Sequence, residues 1–380
     1  MGGGGPRATA AAALLKSLTE PGRERPAAAD GPGWWRRDIR LSFRPVFRTL
    51  ETPEPRREWR GSTAPTRPLL ITGATGTLGK AIARACEWRG VDYVLTSREQ
   101  LDLGRPEAIE TALQTYRPWA VINTAGWVRV DEAEADCDDC MEANAAGAVR
   151  LAQACEAARI AFVGFSSDLV FNGRLGRPYL ESDAPSPLNV YGHSKAEAER
   201  TILASCERAL MIRTAAFFSP YDPHNFAAHL LRTLKRGEVF SAASDLVISP
   251  TYVPDLVETA LDLTMDGARG LWHLANEGAV SWAEFGQLIA ATLDLDVQLV
   301  RGAPAAEFGW PAQRPAAVAL GTERGQLLPS LENAIGRYAA IVSSAEFAGE
   351  AEAWVDRTVP LHTEVGRLQA RRERGRARRG

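Results

Sequence analysis

The architecture of this chain follows from the stretch Leu69-Leu70-Ile71-Thr72-Gly73-Ala74-Thr75-Gly76-Thr77-Leu78-Gly79. Its first four residues are a short apolar run typical of a buried parallel strand, and a helical pattern follows its last glycine. Gly73 permits a tight turn, Gly76 lets the backbone approach a pyrophosphate, and Gly79 lets the helix pack close to the strand. The spacing is GxxGxxG, and this context favours a dinucleotide site over an ordinary strand–helix turn. The predicted cofactor contacts here are Gly73, Thr75, Gly76, Thr77, Leu78 and Gly79.

Short apolar runs and helical patterns alternate through the first half of the chain. The runs that predict further strands are Val91 to Thr96, Ala120 to Asn123, Ala161 to Phe165 and Ala209 to Thr214. The stretch from Asp131 to Arg159 predicts a helix with Asn144 as a buried polar support. This alternation predicts an α/β fold, a Rossmann-like doubly wound parallel sheet.

The pattern loosens after about Ala215 and predicts a smaller C-terminal substrate-binding cap. The elements predicted there are helices over Asn225 to Arg236, Asp255 to Met265 and Trp282 to Leu293, a strand over Leu271 to Ala275, and a loop over Ser244 to Val253. We therefore divide the chain into a mostly disordered N-terminal extension and linker (1–66), an NAD(P)-binding Rossmann domain (67–240), a region that is mainly cap and interleaved with the Rossmann domain (241–345), and a charged C-terminal tail (346–380).

Composition and charge narrow the class of protein. The chain has 380 residues, 45% of them apolar, and a formal net charge of −3. This balance gives no reason to expect a nucleic acid partner, and no apolar run has the length of a membrane span. Five cysteines in a long chain without a secretory signal predict reduced thiols in a cytoplasmic protein. Cys137 and Cys140 have CxxC spacing, but no second pair or nearby histidine completes a metal site, so we predict incidental thiols and no metal.

The pentapeptide Tyr191-Gly192-His193-Ser194-Lys195 opens another helical pattern. On a helix, Tyr191 and Lys195 share one face, and an ammonium beside a phenol lowers the phenol pKa and makes a proton donor. Upstream, Ser166-Ser167-Asp168 ends a predicted strand, where ligands bind in open parallel sheets. Together, Ser167, Tyr191 and Lys195 predict catalysis rather than a packing tyrosine and a solvated lysine.

The end of the second predicted strand indicates which dinucleotide binds. An NAD-preferring site usually places Asp or Glu there, on the ribose 2′-hydroxyl. This strand ends in Thr96-Ser97-Arg98, and Ser97 with Arg98 suits a 2′-phosphate, so NADP (NADPH) is favoured over NAD. The alternative is a solvated arginine in a loop. The other predicted cofactor contacts are Asp102 and Leu103 near the adenine, and Thr124, Ala125 and Gly126 after the third strand.

Four motifs in order resemble the extended short-chain dehydrogenases/reductases, and within them the dTDP-4-dehydrorhamnose reductase family of sugar-nucleotide enzymes. The motifs are the glycine turn, Ser166-Ser167-Asp168, the pentapeptide at Tyr191, and Ile248-Ser249-Pro250-Thr251-Tyr252-Val253-Pro254-Asp255-Leu256. The resemblance covers about Pro68 to Leu331. It implies that Tyr191 and Lys195 are a YxxxK pair that also contacts the cofactor, and that Ser167 is the hydroxyl residue beside them.

The resemblance also implies a substrate side. Arg314, in Gln313-Arg314-Pro315-Ala316, is similar to an Arg-Pro motif near the sugar nucleotide, and Asn225 with Phe226 is similar to a pair that closes the cleft. With Asp168, these are the implied substrate residues. The chain departs from the family pattern on the same side, at Leu169, Ala216, Ala317 and Val318.

The implied reaction is NADPH-dependent reduction of a nucleotide-linked 4-keto sugar, dTDP-4-dehydrorhamnose to dTDP-L-rhamnose. One alternative is an epimerase or dehydratase of sugar nucleotides that retains NAD, and Arg98 argues mildly against it. A second is a non-catalytic regulatory subunit that binds the cofactor, and the intact Ser167, Tyr191 and Lys195 argue against it. A homodimer is a family-level expectation.

Overall fold

The computed structural model describes residues 67–344, so the predictions for residues 1–66 and for the charged tail lie outside the described residues. The strands are β1 (Leu69–Thr72), β2 (Tyr93–Thr96), β3 (Ala120–Asn123), β4 (Ala161–Ser167), β5 (Ala209–Thr214), β6 (Phe217–Phe218), β7 (Phe240–Ala243), β8 (Val247–Ile248), β9 (Thr251–Tyr252), β10 (Gly270–His273), β11 (Val280–Ser281) and β12 (Val300–Ala303). The helices are α1 (Thr77–Arg89), α2 (Pro106–Tyr116), α3 (Cys137–Met141), α4 (Gly147–Ala157), α5 (Val190–Ser205), α6 (Phe226–Lys235), α7 (Val253–Met265), α8 (Trp282–Thr292) and α9 (Leu331–Val342).

The central sheet has six parallel strands in the order β2-β1-β3-β4-β5-β10. β1 lies between β2 and β3, so that Leu69 is opposite both Tyr93 and Ala120. Because the chain places β2 on one side of β1 and all later strands on the other, a crevice opens at the carboxyl ends of β1 and β3. This topology confirms the predicted α/β Rossmann-like doubly wound sheet.

Helices cover both faces of this sheet. α1 and α7 pack on the face that carries Leu69 and Ile71, whereas α2, α4 and α5 pack on the face that carries Leu70 and Val121. Successive strand residues point to opposite faces, so a strand buried on both faces reads as a continuous apolar run. For this reason β1, β3 and β5 have the predicted bounds, although β2 begins later than predicted and β4 continues to Ser167.

The cap has an apolar core of its own, which α6, α8 and α9 build around Phe218, Phe285 and Tyr338. The Phe218 ring centroid lies 5.2 Å from that of Phe285 and 5.8 Å from that of Tyr338, and both pairs meet edge to face. Three short strand pairs complete the cap: β6 with β9, β7 with β12, and β8 with β11. α6 belongs to this core although it precedes residue 240, and β10 joins the central sheet although it follows. The domain boundary at 240 stays a prediction.

Two predicted elements are wrong in detail. The helix predicted from Asp131 begins at Cys137, after a 3₁₀ turn at Glu132–Glu134, and a π turn at Glu142–Ala146 interrupts it. The loop predicted over Ser244 to Val253 contains β8 and β9. Each of these strands has only two residues and is held by a partner distant in sequence, so no local pattern marks it.

Three further findings concern the whole described range. Within residues 67–344, no helix is long and apolar enough to cross a membrane. The same residues contain no cluster of three or more metal-ligating side chains. All five cysteines lie in this range, and none of them forms a disulfide there.

Candidate active site

The glycine turn between β1 and α1 leaves space for a ligand against the backbone. Gly73 has a φ of 83°, which favours glycine. A Cβ on Gly73 would lie 2.6 Å from Thr124 Oγ1, and one on Gly79 would lie 2.3 Å from the Gly73 carbonyl oxygen. α1 begins after Gly76 without a side-chain cap, so its first backbone N–H groups are available to an anion. The turn therefore fits the pyrophosphate of a dinucleotide.

A cleft at the carboxyl edge of the sheet extends from Leu78, at the end of this turn, to Tyr191 and Lys195. Its far wall is close-packed, because a Cβ on Gly126 would lie 2.5 Å from Asn144 Oδ1 and 3.5 Å from Lys195 Nζ. The predicted site residues that line the cleft are Leu78, Thr124, Ala125, Gly126, Tyr191 and Lys195. Residues predicted to contact cofactor from different parts of the sequence thus meet in one cavity.

The end of β2 lies against the glycine turn, because the Ala74 N–H donates to the Thr96 carbonyl oxygen (3.1 Å). Arg98 follows, with 90% of its side chain exposed and its Nε 3.8 Å from Asp102 Oδ1. An exposed ion pair is weak, so the guanidinium can exchange this carboxylate for a phosphate at small cost. Asp102 is half-buried and Leu103 packs in the apolar layer beneath α2 and α4. The contacts predicted for these residues stay predictions.

α5 presents Tyr191 and Lys195 from its first turns. The Asn189 side chain caps the helix by accepting the Gly192 N–H (2.7 Å), which is a strongly preferred N-cap interaction. Lys195 Nζ lies 5.8 Å from the Tyr191 ring centroid and donates to the Phe165 carbonyl oxygen at the end of β4 (3.3 Å). The helix therefore holds the phenol and the ammonium together over the carboxyl edge of the sheet.

Burial dominates the electrostatics of the Tyr191 and Lys195 pair. Burial is the largest cause that raises the pKa of the Tyr191 phenol; the Asp168 carboxylate raises it further, and a hydrogen bond with Ser167 opposes them. The net shift of the phenol pKa is therefore upward, with desolvation as its largest cause, and a lowering contribution from Lys195 stays a prediction. Burial also lowers the pKa of Lys195 to about 8. A phenol with a raised pKa stays protonated at neutral pH, which is the form that can donate a proton.

Ser167 connects the phenol to a buried carboxyl group. Its hydroxyl donates to Asp168 Oδ1 (2.8 Å), accepts the Leu169 N–H (3.1 Å) and is hydrogen-bonded to Tyr191. Asp168 is buried, and this burial raises its pKa to about 6. The three groups, drawn from the end of β4 and the start of α5, form one hydrogen-bonded unit at the cleft.

We expect Asp168→Asn to stabilise the protein at neutral and alkaline pH. The folded protein raises the carboxyl pKa from its ordinary 3.8 to about 6, and this rise is worth about 3 kcal/mol. The protonated Asp168 carboxyl group contributes this stability to the folded protein at pH values below its pKa in the unfolded chain. The contribution is lost as the pH rises through about 6, where the carboxyl group ionises in the folded protein. The free energy of unfolding, measured by urea titration, should favour the variant by about this amount at pH 8. The unfolding free energies of the variant and the wild type should become equal near pH 4.

A carboxylate with the opposite shift serves as the control. A hydrogen bond from Arg177 holds the pKa of Asp183 below its ordinary value, so Asp183→Asn should lose stability at neutral pH. An advantage of Asp168→Asn that has the same size at pH 4 and at pH 8 would contradict the assignment.

Asn144 supports the site from the π turn. Its Oδ1 accepts the Trp127 N–H (2.8 Å), and its Nδ2 donates to the Trp127 carbonyl oxygen (3.1 Å) and to Ser194 Oγ (3.0 Å). It thus ties the loop after β3 to α5, the helix of Tyr191 and Lys195. The prediction of a buried polar support is confirmed, but the π turn that aims the amide had no signal in the sequence.

The Arg-Pro segment lies beside the start of α5. Asn189 Nδ2 donates to the Gln313 carbonyl oxygen (2.9 Å), and the Arg314 guanidinium forms an ion pair with both oxygens of Asp131. This hydrogen bonding lowers the pKa of Asp131. Glu134 accepts the Val190 N–H (2.9 Å) at the first residue of α5. Sequence reasoning missed Asp131 and Glu134, and their spacing on one turn was the available signal. Substrate contact by Arg314 stays a prediction.

Asn225 is an N-cap in this structure. Its Oδ1 accepts the Ala228 N–H at the start of α6 (3.0 Å), and its Nδ2 donates to the Ser219 and Asp222 carbonyl oxygens (2.8 Å each). The amide group is therefore engaged within the cap loop, and its contact with substrate stays a prediction.

The positions that depart from the family pattern have structural roles on the cap side. Ala317 and Val318 are buried, and Val318 packs with Val170 and Phe171 beneath the cap. Ala216 has a φ of 35°, an unusual value for a residue other than glycine, just before β6. Leu169 is half-buried beside Asp168.

The chain matches a family model described as the RmlD substrate binding domain over residues 67–337. It belongs to this family. Its relatives include dTDP-4-dehydrorhamnose reductase of Mycobacterium tuberculosis, which is 35% identical over 266 residues that cover 68% of this chain and 86% of that protein. Another is a probable dTDP-4,6-dihydroxy-2-methyloxan-3-one 4-ketoreductase of Streptomyces antibioticus, 32% identical over 257 residues that cover 67% of this chain and 87% of that protein.

Solved structures of the RmlD family share the fold. The crystal structure of dTDP-4-dehydrorhamnose reductase from Bacillus anthracis in complex with NADP has a TM-score of 0.68 and 30% identity, covering 72% of this chain and 98% of that one. A reductase ortholog from Clostridium acetobutylicum has a TM-score of 0.69 and 28% identity, covering 73% of this chain and 100% of that one. Family membership and fold therefore agree with the resemblance drawn from the motifs.

Proposed function

We propose that this protein is an NADPH-dependent oxidoreductase that reduces dTDP-4-dehydrorhamnose to dTDP-L-rhamnose. The observation that carries the proposal is that Tyr191 and Lys195 line one cleft with Leu78 of the glycine turn, and that Ser167 is hydrogen-bonded to Tyr191. The relatives named as dTDP-4-dehydrorhamnose reductases, and the related structure in complex with NADP, support the reaction and the cofactor.

Residues of the central sheet would hold the cofactor. The turn from Gly73 to Gly79, with Thr75, Thr77 and Leu78, would bind the pyrophosphate through backbone N–H groups. Ser97 and Arg98 would contact the 2′-phosphate, and Asp102 and Leu103 would border the adenine. Thr124, Ala125, Gly126 and Lys195 would line the part of the cleft next to Tyr191. When bound, NADPH supplies the hydride for the carbonyl carbon.

The protein's own contribution is the proton and the stabilisation of charge. The Tyr191 hydroxyl donates its proton to the carbonyl oxygen as negative charge develops there. Ser167 hydrogen-bonds the same oxygen and stabilises the developing alkoxide. The Lys195 ammonium stabilises the phenolate that remains on Tyr191. In this structure the Ser167 hydroxyl donates to Asp168 Oδ1 (2.8 Å), so it would turn from this carboxylate to the carbonyl oxygen when substrate binds.

The proposed substrate contacts lie between the cap and the central sheet. Arg314 and Asn225 lie on segments that meet the start of α5 and α6, and we propose that they contact the nucleotide sugar together with Asp168. Arg314 would exchange its pairing with Asp131 for the substrate diphosphate, a favoured arginine partner. A homodimer and a cytoplasmic location stay predictions from the family and from the composition.

Purified protein mixed with dTDP-4-dehydrorhamnose and NADPH should oxidise the cofactor and form dTDP-L-rhamnose. The loss of absorbance of reduced nicotinamide and the chromatographic identity of the product measure this. NADH should be the poorer donor if Ser97 and Arg98 read the 2′-phosphate. No net NADPH oxidation, with NAD retained through purification, would instead indicate an epimerase or dehydratase. No turnover together with a stable complex with a second enzyme would indicate a regulatory subunit.

A further inference from the structure

A loop of the cap, residues 219–225, lies across the first turns of α1. The Thr77 hydroxyl, on the first residue of that helix, donates to Asp222 Oδ2 (2.7 Å). Further along the same helix, the guanidinium carbon of Arg84 lies 4.2 Å from the Tyr221 ring centroid, within the range of a cation–π interaction. Two contacts of different kinds therefore fix the cap loop to the helix that follows the cofactor turn.

Polar groups within the loop extend this contact into the cap. Asp222 Oδ1 accepts the His224 N–H (2.8 Å), and Asn225 Nδ2 donates to the Asp222 and Ser219 carbonyl oxygens. Asn225 Oδ1 then accepts the Ala228 N–H in the first turn of α6. A continuous set of hydrogen bonds thus runs from the first residue of α1 to the first turn of α6.

The two ends of this hydrogen-bond path lie in two different binding regions. Thr77 belongs to the turn that would hold the cofactor pyrophosphate, and Asn225 is a predicted substrate contact. β6, the strand before the loop, also connects the two regions. Its Phe217 lines the cleft, and its Phe218 is fully buried in the cap core. A ligand that restrains Thr77 would therefore also restrain Asn225, and a ligand that restrains Asn225 would restrain Thr77.

We propose that Asp222 is a positioning residue that couples cofactor binding to substrate binding through Thr77. The inference rests on the proposed function, since it takes NADPH and a dTDP-sugar as the two ligands. Ligand contacts at the turn restrain Thr77, and the Thr77–Asp222 hydrogen bond transmits that restraint to the loop and to Asn225. The second ligand then loses less conformational entropy in ordering the loop, so it binds more tightly. The effect is reciprocal between the two ligands.

The coupling is measured by titrating NADPH, followed by its fluorescence, with and without saturating dTDP. In the wild type, dTDP should tighten NADPH binding about five- to tenfold, a common size for coupling between sites. In Asp222→Ala and in Thr77→Val this ratio should fall to about 1, and the double variant should lose no more than either single variant. Asp222→Asn keeps an acceptor for the Thr77 hydroxyl and should retain most of the coupling.

Asp296→Ala is the matched control. Asp296 also accepts a backbone N–H two residues ahead, from Gln298 (2.9 Å), but it precedes β12 in the cap, away from α1. It should keep the wild-type coupling ratio, and thermal melting should show all variants folded. If Asp222→Ala does not fold, Thr77→Val carries the same test.

Three results would overturn the proposal: wild-type coupling in Asp222→Ala or Thr77→Val, a coupling ratio of 1 in the wild type, or loss of coupling in Asp296→Ala. A wild type that binds no NADPH at all would instead overturn the proposed function.

Discussion

Replacing Tyr191 with phenylalanine should lower kcat by at least about 100-fold, because the reaction then lacks its proton donor. The substitution removes one oxygen and leaves the ring, so the packing at the start of α5 should persist. Lys195, the glycine turn and the walls of the cleft are unchanged, and the NADPH dissociation constant should therefore stay close to the wild-type value. Steady-state turnover with dTDP-4-dehydrorhamnose and a fluorescence titration of NADPH measure the two quantities separately.

Tyr179→Phe is the matched control for this substitution. Tyr179 is also buried, but its hydroxyl donates to Asn172 Oδ1 (3.0 Å) and accepts the Arg174 N–H (3.1 Å) rather than bonding Ser167. Its loss should cost stability and leave turnover nearly unchanged. A Tyr191→Phe protein with near-normal turnover would show that the proton comes from another group.

Removing Arg213 alone should cost about 3–5 kcal/mol of unfolding free energy, because it leaves a buried carboxylate without its partner. Arg213 lies in β5, one residue before its end, and forms a bidentate ion pair with Glu199 of α5, with Nη2 to Oε2 at 2.6 Å and Nε to Oε1 at 2.9 Å. The side chains of Arg213 and Glu199 are only 2% and 3% exposed. Arg213→Leu is the variant, and urea titration is the measurement.

The double variant Arg213→Leu/Glu199→Leu should recover most of this loss, since an apolar pair of similar volume often replaces a buried ion pair without penalty. The exposed pair Arg200 and Glu197 on the same helix provides the control. Its side chains are 70% and 42% exposed, so Arg200→Leu should change the unfolding free energy by less than about 1 kcal/mol. A single Arg213→Leu variant as stable as the Arg200→Leu control would refute the argument.

The parts of the fold that the sequence predicted are those with a local physical cause. β1, β3 and β5 are buried on both faces, so each is a continuous apolar run with clear ends. The glycine turn was recognisable because Gly73 needs a positive φ and Gly79 has no space for a Cβ. Tyr191 and Lys195 needed only helical spacing to fall on one face.

The parts that it did not predict depend on partners distant in the chain. The two-residue strands β8 and β9 are held by β11 and β6. The ion pair between Asp131 and Arg314 joins residues on two separate loops, so neither neighbourhood in sequence reveals the other. The π turn that aims Asn144 is likewise set by contacts with Trp127 and Ser194 rather than by propensity.

By itself the sequence determined the fold class, the cofactor turn and the identity of the groups that would carry the proton chemistry. Hydrophobic periodicity, glycine spacing and helical geometry each involve only a few neighbouring residues, so they can be recognised in the amino-acid sequence. Only the tertiary structure decided how those groups behave. The pKa of Tyr191 is raised in the folded chain, where desolvation is the largest cause and the Asp168 carboxylate adds to it. Burial and distance between remote residues exist only once the chain has folded.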